Sequence, residues 1–600
     1  MNKIFTKTAV VAVASALALG TASCNDELNQ LPIDYPASGS FWKTQSQFVG
    51  NIYANSVMMR DQTPNILFWA GELRAGRFTT ALINASGALN NEYVVNDYAA
   101  SRAQFNTFGG WYGFVANMNE LIQQCDNAEE DVLTENVKNG LLGIAYGWRA
   151  YAYFQMYKMY GGVPLRLQPE VQDGETDPTK LYMPRATAEQ TLTQIKTDIA
   201  TSLECFNKST FQVNANKKAY YWSKAATEML AGEVYLWSAK VATDDHALGG
   251  ASDVAIAKGY FENVVNNYGY KMIKDYFSVW TTPLNSESIY SICYSSDIDK
   301  ASFSSYQGQI LYSHAGGEYA TVGWTTLDAT GLKIRTDGAA SQFNKFTTAA
   351  DQTGKLYTTW NTFQPSPNRY MYKNAAYFQF DDKDVRKQMF FPVWHMKDNE
   401  SKLTYIANFD PTQYVLSGTF TSKFEPVYKP DWDAARMVWP DDQCIYRLPL
   451  AYMYLAEIAN YEGNNGQVEH YINLVRERAY GANWDETVYG YKAGSFRENE
   501  AAILNEKDKE FIMEGQRWWD LRRLTAVKDG AQLDHLVFQP ESCAGWGLNP
   551  VANPWLVDGD GNPILTAEPV LSANEEYKLL WPINQGLLDS DPEIKQNPGY

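Results

Sequence analysis

Histidine and cysteine, the side chains that hold most zinc sites and many catalytic sites, are scarce in this sequence of 600 residues. The 5 histidines stand far apart, with no HExxH or similar metal-ligand spacing. A Gly-rich phosphate loop and a GxSxG nucleophile motif are also missing. The 6 cysteines are widely scattered, which is untypical of a disulfide framework in a chain long enough to bury a large core. The sequence therefore predicts no metal, no cofactor and no common hydrolase site.

Positively charged residues and long apolar runs are also scarce. The chain has 50 Lys and Arg against 69 Asp and Glu, which gives a net charge of −19. A nucleic-acid backbone would be repelled by this surplus, so nucleic acid is excluded as a partner. After the N-terminal segment, no stretch reaches 18 apolar residues without a charge, so no membrane-spanning helix is predicted.

The first 23 residues have the layout of a secretory signal peptide. Lys3 and Lys7 provide the positive charge, residues 9–20 are uncharged, and three small residues from Thr21 onward precede Cys24. A cysteine at this place is typical of a lipoprotein, in which acyl chains are attached to the new N-terminal residue. Thr21 stands where that motif more often has Leu or Val, and an ordinary signal peptide followed by a chance cysteine is the alternative. An acyl anchor would hold the chain on a membrane with its body in water.

Hydrophobic periodicity divides the mature chain into three parts. Residues 24–40 are polar with two prolines and predict a lipid-anchored tether, and residues 41–275 and 441–600 are dominated by helical patterns. In residues 276–440 the period is lost, and Gly, Ser, Thr, Asn and aromatic residues mix without a repeat. A bare loop of that length is untypical of a compact protein. We therefore predict an irregular ligand-binding lobe with short strands, carried on a helical scaffold.

The predicted helices come in pairs at the spacing of tetratricopeptide units. In the C-terminal pair, Leu455 and Ala456 lie in the first helix, Val468 and Ile472 lie in the second, and residues 463–466 supply the turn. Further pairs are predicted in residues 141–203, 230–264 and 503–524. Ordinary helical hairpins are the alternative. The predicted fold class is mainly α, with tetratricopeptide-like helix pairs supporting a loop-rich lobe.

Glu510 and Glu514 are the strongest catalytic candidates, because they stand four residues apart on a predicted helix next to Trp518 and Trp519. Two carboxyl groups beside aromatic rings could indicate glycoside hydrolysis. Carboxylates on one helix face lie side by side, however, whereas hydrolases need them opposed across a substrate. We prefer to interpret them as members of an ion network. Arg517 stands three residues after Glu514, and Asp520 and Arg523 form a similarly spaced pair. We therefore predict that the protein is not an enzyme.

Five segments of the mature chain have distinctive sequences. The most distinctive is NEKDKEFIMEGQRWWDLRRL at residues 505–524, and the chain ends in WPINQGLLDSDPEIKQNPGY at residues 581–600. The other three are RAYAYFQMYKMYGGVPL (149–165), YRLPLAYMYLAEIAN (446–460) and YINLVRERAYG (471–481). These segments resemble the SusD/RagB family of outer-membrane lipoproteins from Bacteroidetes, and the resemblance spans nearly the whole mature chain in order. A departure at Leu448 and Pro449, where the family often has Ala-Asp, concerns local packing only.

Membership of that family implies the SusD-like fold and a role as the extracellular lid of a SusC-like TonB-dependent transporter. The lid would capture an oligosaccharide and deliver it for import. Asp26 and Glu27, just after Cys24, resemble the signal that sends such lipoproteins to the outer face of the outer membrane. Some relatives import peptides, so a peptide-binding lid stays open as an alternative. A glycoside hydrolase and a pure protein-binding scaffold are the remaining alternatives.

Aromatic residues make up 14% of the chain, and exposed ones could stack on the apolar face of a sugar ring. Tryptophans in periodic helices are predicted to lie in the core: Trp111, Trp148, Trp237, Trp518 and Trp519. Ligand contacts are predicted instead in the non-periodic segments, where a packing role is the alternative for each residue. These candidates are Trp69 and Arg74 before the first long helix, Tyr294, Tyr312 and Trp324 near the glycines of the central lobe, and Trp360 and Tyr370 near Pro365.

Overall fold

The computed structural model describes the helical parts of the chain and pieces of the central segment. The described residues are 41–80, 96–102, 108–169, 177–293, 324–327, 332–334, 358–359, 370–373, 379–396, 399–405, 414–421, 423, 427–429, 436–438, 442–528, 534–542 and 569–600. The predicted signal peptide, tether and lipid-attachment residue Cys24 lie outside them, as do Tyr294, Tyr312 and Trp360.

Helices form most of the described structure, which confirms the predicted fold class. They are α1 (Gln45–Pro64), α2 (Gly109–Asn127), α3 (Glu135–Tyr160), α4 (Ala188–Asn207), α5 (Lys224–Lys240), α6 (Gly250–Asn267), α7 (Ser278–Thr281), α8 (Leu448–Glu462), α9 (Asn465–Tyr480), α10 (Glu486–Tyr489), α11 (Phe496–Glu510), α12 (Arg517–Arg523) and α13 (Gln585–Ser590). A π-helical segment, Asn65–Leu73, continues directly from α1. No helix in the described ranges is long and apolar enough to cross a bilayer.

Three of the predicted helix pairs are present as packed neighbours: α3 with α4, α5 with α6, and α8 with α9. Their ends follow from local chemistry. Gly463 adopts a left-handed conformation with φ of 74° and ends α8, and the Asn464 side chain then caps α9 by accepting from the Gln467 amide. The fourth predicted pair is shorter than expected, because α11 ends at Glu510 and α12 has only 7 residues.

Glycines on α3 and α5 make room for aromatic rings that pack against these helices. A Cβ atom placed on Gly232 of α5 would lie 2.5 Å from the ring of Phe261 on α6. On α3, a Cβ atom on Gly147 would lie 2.1 Å from the indole nitrogen of Trp222. Both aromatic rings are buried, so glycine in the first helix of each pair makes room for a ring that fills the core.

Short strands occur in and around the central segment, as the sequence predicts. They are β1 (Phe78–Thr80), β2 (Ser288–Ile292), β3 (Trp324–Leu327), β4 (Leu332–Ile334), β5 (Thr358–Thr359), β6 (Tyr370–Tyr372), β7 (Phe390–Met396), β8 (Asn399–Tyr405), β9 (Tyr414–Thr421), β10 (Val427–Lys429), β11 (Arg436–Val438) and β12 (Gln443–Arg447). A six-stranded sheet has the order β1-β6-β9-β7-β8-β5, and β3 with β4 and β10 with β11 form separate hairpins.

The two ends of the central segment meet in the antiparallel pair of β2 and β12. This ribbon is fixed to the scaffold by two side-chain hydrogen bonds. The Trp148 indole donates to the Tyr290 hydroxyl over 3.2 Å, and the Tyr446 hydroxyl donates to Glu233 over 2.9 Å. The scaffold therefore sets where the central segment leaves and re-enters the helical array.

The five tryptophans predicted to be core residues are all buried, which confirms that prediction. They belong to one continuous cluster that joins the helix pairs to the C-terminal segment through Trp581 and Ile583. The end of the chain is thus part of the core, and the Tyr600 hydroxyl donates to the Leu580 carbonyl over 2.9 Å.

Candidate functional site

Trp69 and Arg74 lie in a segment that packs against the turn between α11 and α12. The backbone of Gly71 lies so close to Gly515 that a Cβ atom there would be 2.2 Å from the Gly515 carbonyl oxygen. The Gly515 amide in turn donates to the Glu72 carboxylate over 3.0 Å. The Trp69 side chain is 5% exposed and forms an edge-to-face contact with Phe68. This segment is therefore built into the core.

Arg74 is fully buried inside a cage of aromatic rings. Its guanidinium carbon lies 3.8 Å from the ring centre of Trp518 and 4.9 Å from those of Tyr98 and Trp581. Its Nε donates to the Asn96 side-chain oxygen over 3.1 Å, and its Nη2 donates to the Lys578 carbonyl. A cation held over several rings is stabilised by their electron-rich faces. Arg74 thus joins the segment before β1 to α12 and the C-terminal segment.

Among the predicted ligand residues of the central segment, the structure describes the backbone of Trp324 and Tyr370. Trp324 begins β3 and pairs with Ile334, while Tyr370 begins β6 and pairs with Thr80 of β1. Because β1 follows Arg74 by four residues, the pairing with β6 brings the Trp69–Arg74 segment and the Tyr370 segment to one sheet edge. The ligand-binding role of the seven candidates stays a prediction.

Glu510 and Glu514 are both buried and are enclosed by cations. Arg447 bridges them, with Nη1 2.6 Å from Glu510 Oε1 and Nε 2.8 Å from Glu514 Oε2. Glu510 also pairs with Arg478, and with Arg386 over 3.1 Å. Glu514 pairs with Lys423 over 2.5 Å. This confirms the structural interpretation of the two carboxylates as members of an ion network.

The electrostatics of Glu510 are unsuited to acid catalysis. Burial raises the pKa of Glu510, but the guanidinium groups of Arg478, Arg447 and Arg386 outweigh it and hold the pKa far below its usual range. A general acid in glycoside hydrolysis needs a raised pKa and an open face toward the leaving group. Glu510 has neither, because its oxygens are occupied by buried arginines.

Of the two ion pairs predicted from helical spacing, Asp520 with Arg523 is confirmed and Glu514 with Arg517 is wrong. Asp520 and Arg523 do pair, over 2.7 Å. Among the described residues Glu514 pairs with Arg447 and Lys423, whereas Arg517 lies against Asp508. Arg447 and Lys423 are distant in sequence from α11, so helical spacing gave no signal for them. Across the described ranges no group of three or more His, Cys, Asp or Glu is placed to hold a metal.

Two family models match this chain. The sequence model of the SusD family matches residues 286–600, and a second family model, described as starch-binding associating with outer membrane, matches residues 49–230. The chain belongs to the SusD/RagB family. This confirms the resemblance carried by residues 505–524.

Solved structures of SusD superfamily proteins share the fold over almost the whole chain. A SusD superfamily protein from Bacteroides fragilis is 35% identical, with a TM-score of 0.71, and the match covers 93% of this chain and 100% of that one. Surface glycan-binding protein A from Bacteroides uniformis is 16% identical, with a TM-score of 0.60 over 92% of this chain and 99% of that one, which shows the shared fold alone.

A curated relative matches over a shorter stretch. SusD-like protein P38 from Formosa agariphila is 25% identical over 181 residues. That stretch covers 30% of this chain and spans 33% of the length of the relative. The chain thus has a SusD-like architecture, a helical scaffold with a strand-containing central segment.

Proposed function

We propose that this SusD-family chain is a cell-surface glycan-binding lipoprotein that delivers oligosaccharides to a SusC-like TonB-dependent transporter. The observation that carries the proposal is family membership, with models that match residues 49–230 and 286–600, one of them described as starch-binding associating with outer membrane. The fold shared with a surface glycan-binding protein supports it. The protein acts by binding, and Glu510 and Glu514 serve the fold.

The proposed ligand contacts are the aromatic side chains of the central segment, Tyr294, Tyr312, Trp324, Trp360 and Tyr370. Flat rings cover the apolar face of a sugar at low entropic cost, and neighbouring polar groups satisfy its hydroxyls. Trp69 and Arg74 are buried, so we assign them a structural role in fixing the segment that leads into β1. Through the pairing of β1 with β6, they position Tyr370.

Titration calorimetry of the mature chain against plant, microbial and host polysaccharides tests this function. Glycan binding without release of reducing sugar is the expected result. Release of reducing sugar would replace the proposal with a glycoside hydrolase. Binding of mixed peptides without any glycan binding would replace it with a peptide-binding lid of the same transporter class.

We expect a Trp324→Ala substitution to weaken glycan binding at least tenfold while the melting temperature stays within about 2 °C of the parent. Loss of one stacking ring from a binding site removes contact area that glycine-rich neighbours cannot replace. Calorimetry of binding and of unfolding measures both quantities. Trp484→Ala, at a partly exposed tryptophan of the scaffold, is the matched control and should leave the affinity unchanged. A large fall in melting temperature with Trp324→Ala would instead make Trp324 a core residue.

We expect a Cys24→Ser substitution to abolish acylation and to release the protein from membranes. The thiol at this position is the proposed attachment point for the acyl chains that hold the body outside the outer membrane. Metabolic labelling with a fatty acid, followed by membrane fractionation, measures the change. Cys293→Ser, at a half-buried thiol directly after β2, is the control and should stay labelled. Continued labelling of the Cys24→Ser protein would refute the anchor.

A further inference from the structure

A cavity of about 370 Å³ lies between the loop joining α5 to α6, helix α12 and the C-terminal segment. Thr243, Asp244, Arg522, Tyr577 and Asn597 are among its lining residues. A neighbouring cavity of about 420 Å³ shares Asp244 and Asn597 with it. A water molecule occupies roughly 30 Å³ of liquid, and ligand pockets begin at about 300 Å³. The space therefore suits a molecule of monosaccharide size.

Arg522 lines this cavity, and Asp244 of the same cavity acts on its charge without a direct ion pair. Its side chain is 2% exposed, and its guanidinium carbon lies 5.0 Å from the ring centre of Trp237. The Nη1 group donates to the Lys158 carbonyl over 2.5 Å. Within the part of the chain that the structure describes, Nε has no hydrogen-bond partner and the guanidinium forms no ion pair with a carboxylate.

Three other buried arginines of the same core are paired directly with carboxylates. Arg447, Arg523 and Arg386 each contact at least two carboxylates, which raise the pKa of each guanidinium above its usual value despite burial. For Arg522, burial and the nearby Arg74 lower the pKa to about 9. A buried charge without a partner is costly, so a bound anion would relieve this cost.

We propose that the cavity at Arg522 is a second binding site, which takes a small molecule bearing a carboxylate. The planar guanidinium offers a paired set of donors that matches a carboxylate. Asp244 and Asn597 present polar groups for hydroxyls of the same ligand, and Tyr577, which is 39% exposed, provides an apolar wall. The exposed Asp244 and Glu576 at the cavity disfavour more highly charged anions such as phosphate. The site is separate from the proposed glycan contacts of the central segment, so either can fail alone.

A pair of sugars that differ at one group provides the test. D-glucuronate carries a carboxylate where D-glucose carries a hydroxymethyl group, and binding of each to the mature chain is measured by ligand-observed NMR and calorimetry. D-glucuronate should bind at least tenfold more tightly than D-glucose. Glycylglycine presents a carboxylate from a peptide source, and the tighter of the two carboxylate ligands identifies the natural class. Equal affinity for D-glucuronate and D-glucose would overturn the proposal.

Two substitutions locate the binding. Arg522→Met should weaken D-glucuronate binding at least tenfold. Asp244→Asn, which removes a like charge at an exposed position, should strengthen it about two- to fivefold and leave D-glucose unchanged. A folding defect cannot produce this gain. Asp131→Asn, at an exposed acid in the loop between α2 and α3, is the matched control and should have no effect. D-glucuronate binding that neither Arg522→Met nor Asp244→Asn alters would lie elsewhere and would also overturn the proposal.

Discussion

An Arg447→Ala substitution is expected to lower the free energy of unfolding by about 3–5 kcal/mol, the cost of breaking a buried ion pair by removing one partner. Arg447 contacts Glu510, Glu514 and Glu287, and all four residues are buried. Without it, Glu514 keeps Lys423 and loses two hydrogen bonds from the guanidinium. Urea unfolding of the non-acylated chain, followed by tryptophan fluorescence, measures the change as a shift in midpoint.

The matched control for that prediction is Arg497→Ala on α11. Arg497 pairs with Glu541 at the surface, where its side chain is 46% exposed. Exposed pairs contribute at most about 1 kcal/mol, because water screens them and the side chains lose entropy on pairing. If both substitutions lowered the free energy of unfolding by the same amount, the buried Arg447 network would stabilise the fold no more than a surface ion pair does.

Arg447 also links the strand-containing segment to the scaffold. It is the last residue of β12, while Glu287 stands immediately before β2, its partner strand. The ion pairs from Arg447 to Glu287 and to Glu510 of α11 therefore hold both ends of the central segment on one helix. Arg386, between β6 and β7, reaches the same helix through Glu506 and Glu510. The acidic face of α11 thus binds the basic residues that attach the central segment to the scaffold.

Local pattern predicted the helix pairs well, because each pair buries a periodic apolar face against its own neighbour. Val468 and Ile472 of α9 are fully buried, as the repeat spacing indicates. The fourth pair was predicted less well. Residues 511–516 form a turn in which Met513 and Gly515 adopt positive φ, and this turn leaves room for only a short α12.

Long-range contacts explain what the sequence could not predict. The non-periodic segment around Trp69 suggested exposure, yet its burial depends on Gly515 and Trp518, which lie more than 400 residues later. Arg74 likewise takes its cage from Trp581 at the far end of the chain. The partners of Glu514 come from β12 and from Lys423, and no helical spacing encodes them. The contacts of the central aromatic residues stay a prediction.

The acid stability of the protein should depend strongly on Glu506. Its carboxylate lies 2.7 Å from Arg386 Nη2 and 2.8 Å from Arg476 Nε. Burial raises the pKa of Glu506, but the two guanidinium groups outweigh it and lower the pKa to about 2, from 4.5 in the unfolded chain. Because the folded-state pKa is lowered, the stabilisation is complete above pH 4.5 and is lost as the pH falls toward 2. The difference corresponds to about 3 kcal/mol.

A Glu506→Gln substitution should therefore be less stable than the parent by about 3 kcal/mol at pH 7, and this difference should shrink to near zero at about pH 2. Glutamine resembles the protonated acid, so the two proteins become alike once the parent carboxylate is protonated. Urea unfolding at several pH values measures the two curves. Asp198 and Glu287, whose pKa values are raised by burial, titrate in both proteins and cancel in the comparison. Glu204→Gln, at an exposed pair with Lys208, should follow the parent curve throughout. Parallel curves for Glu506→Gln and the parent would show that the Glu506 carboxylate is not stabilised by its arginines.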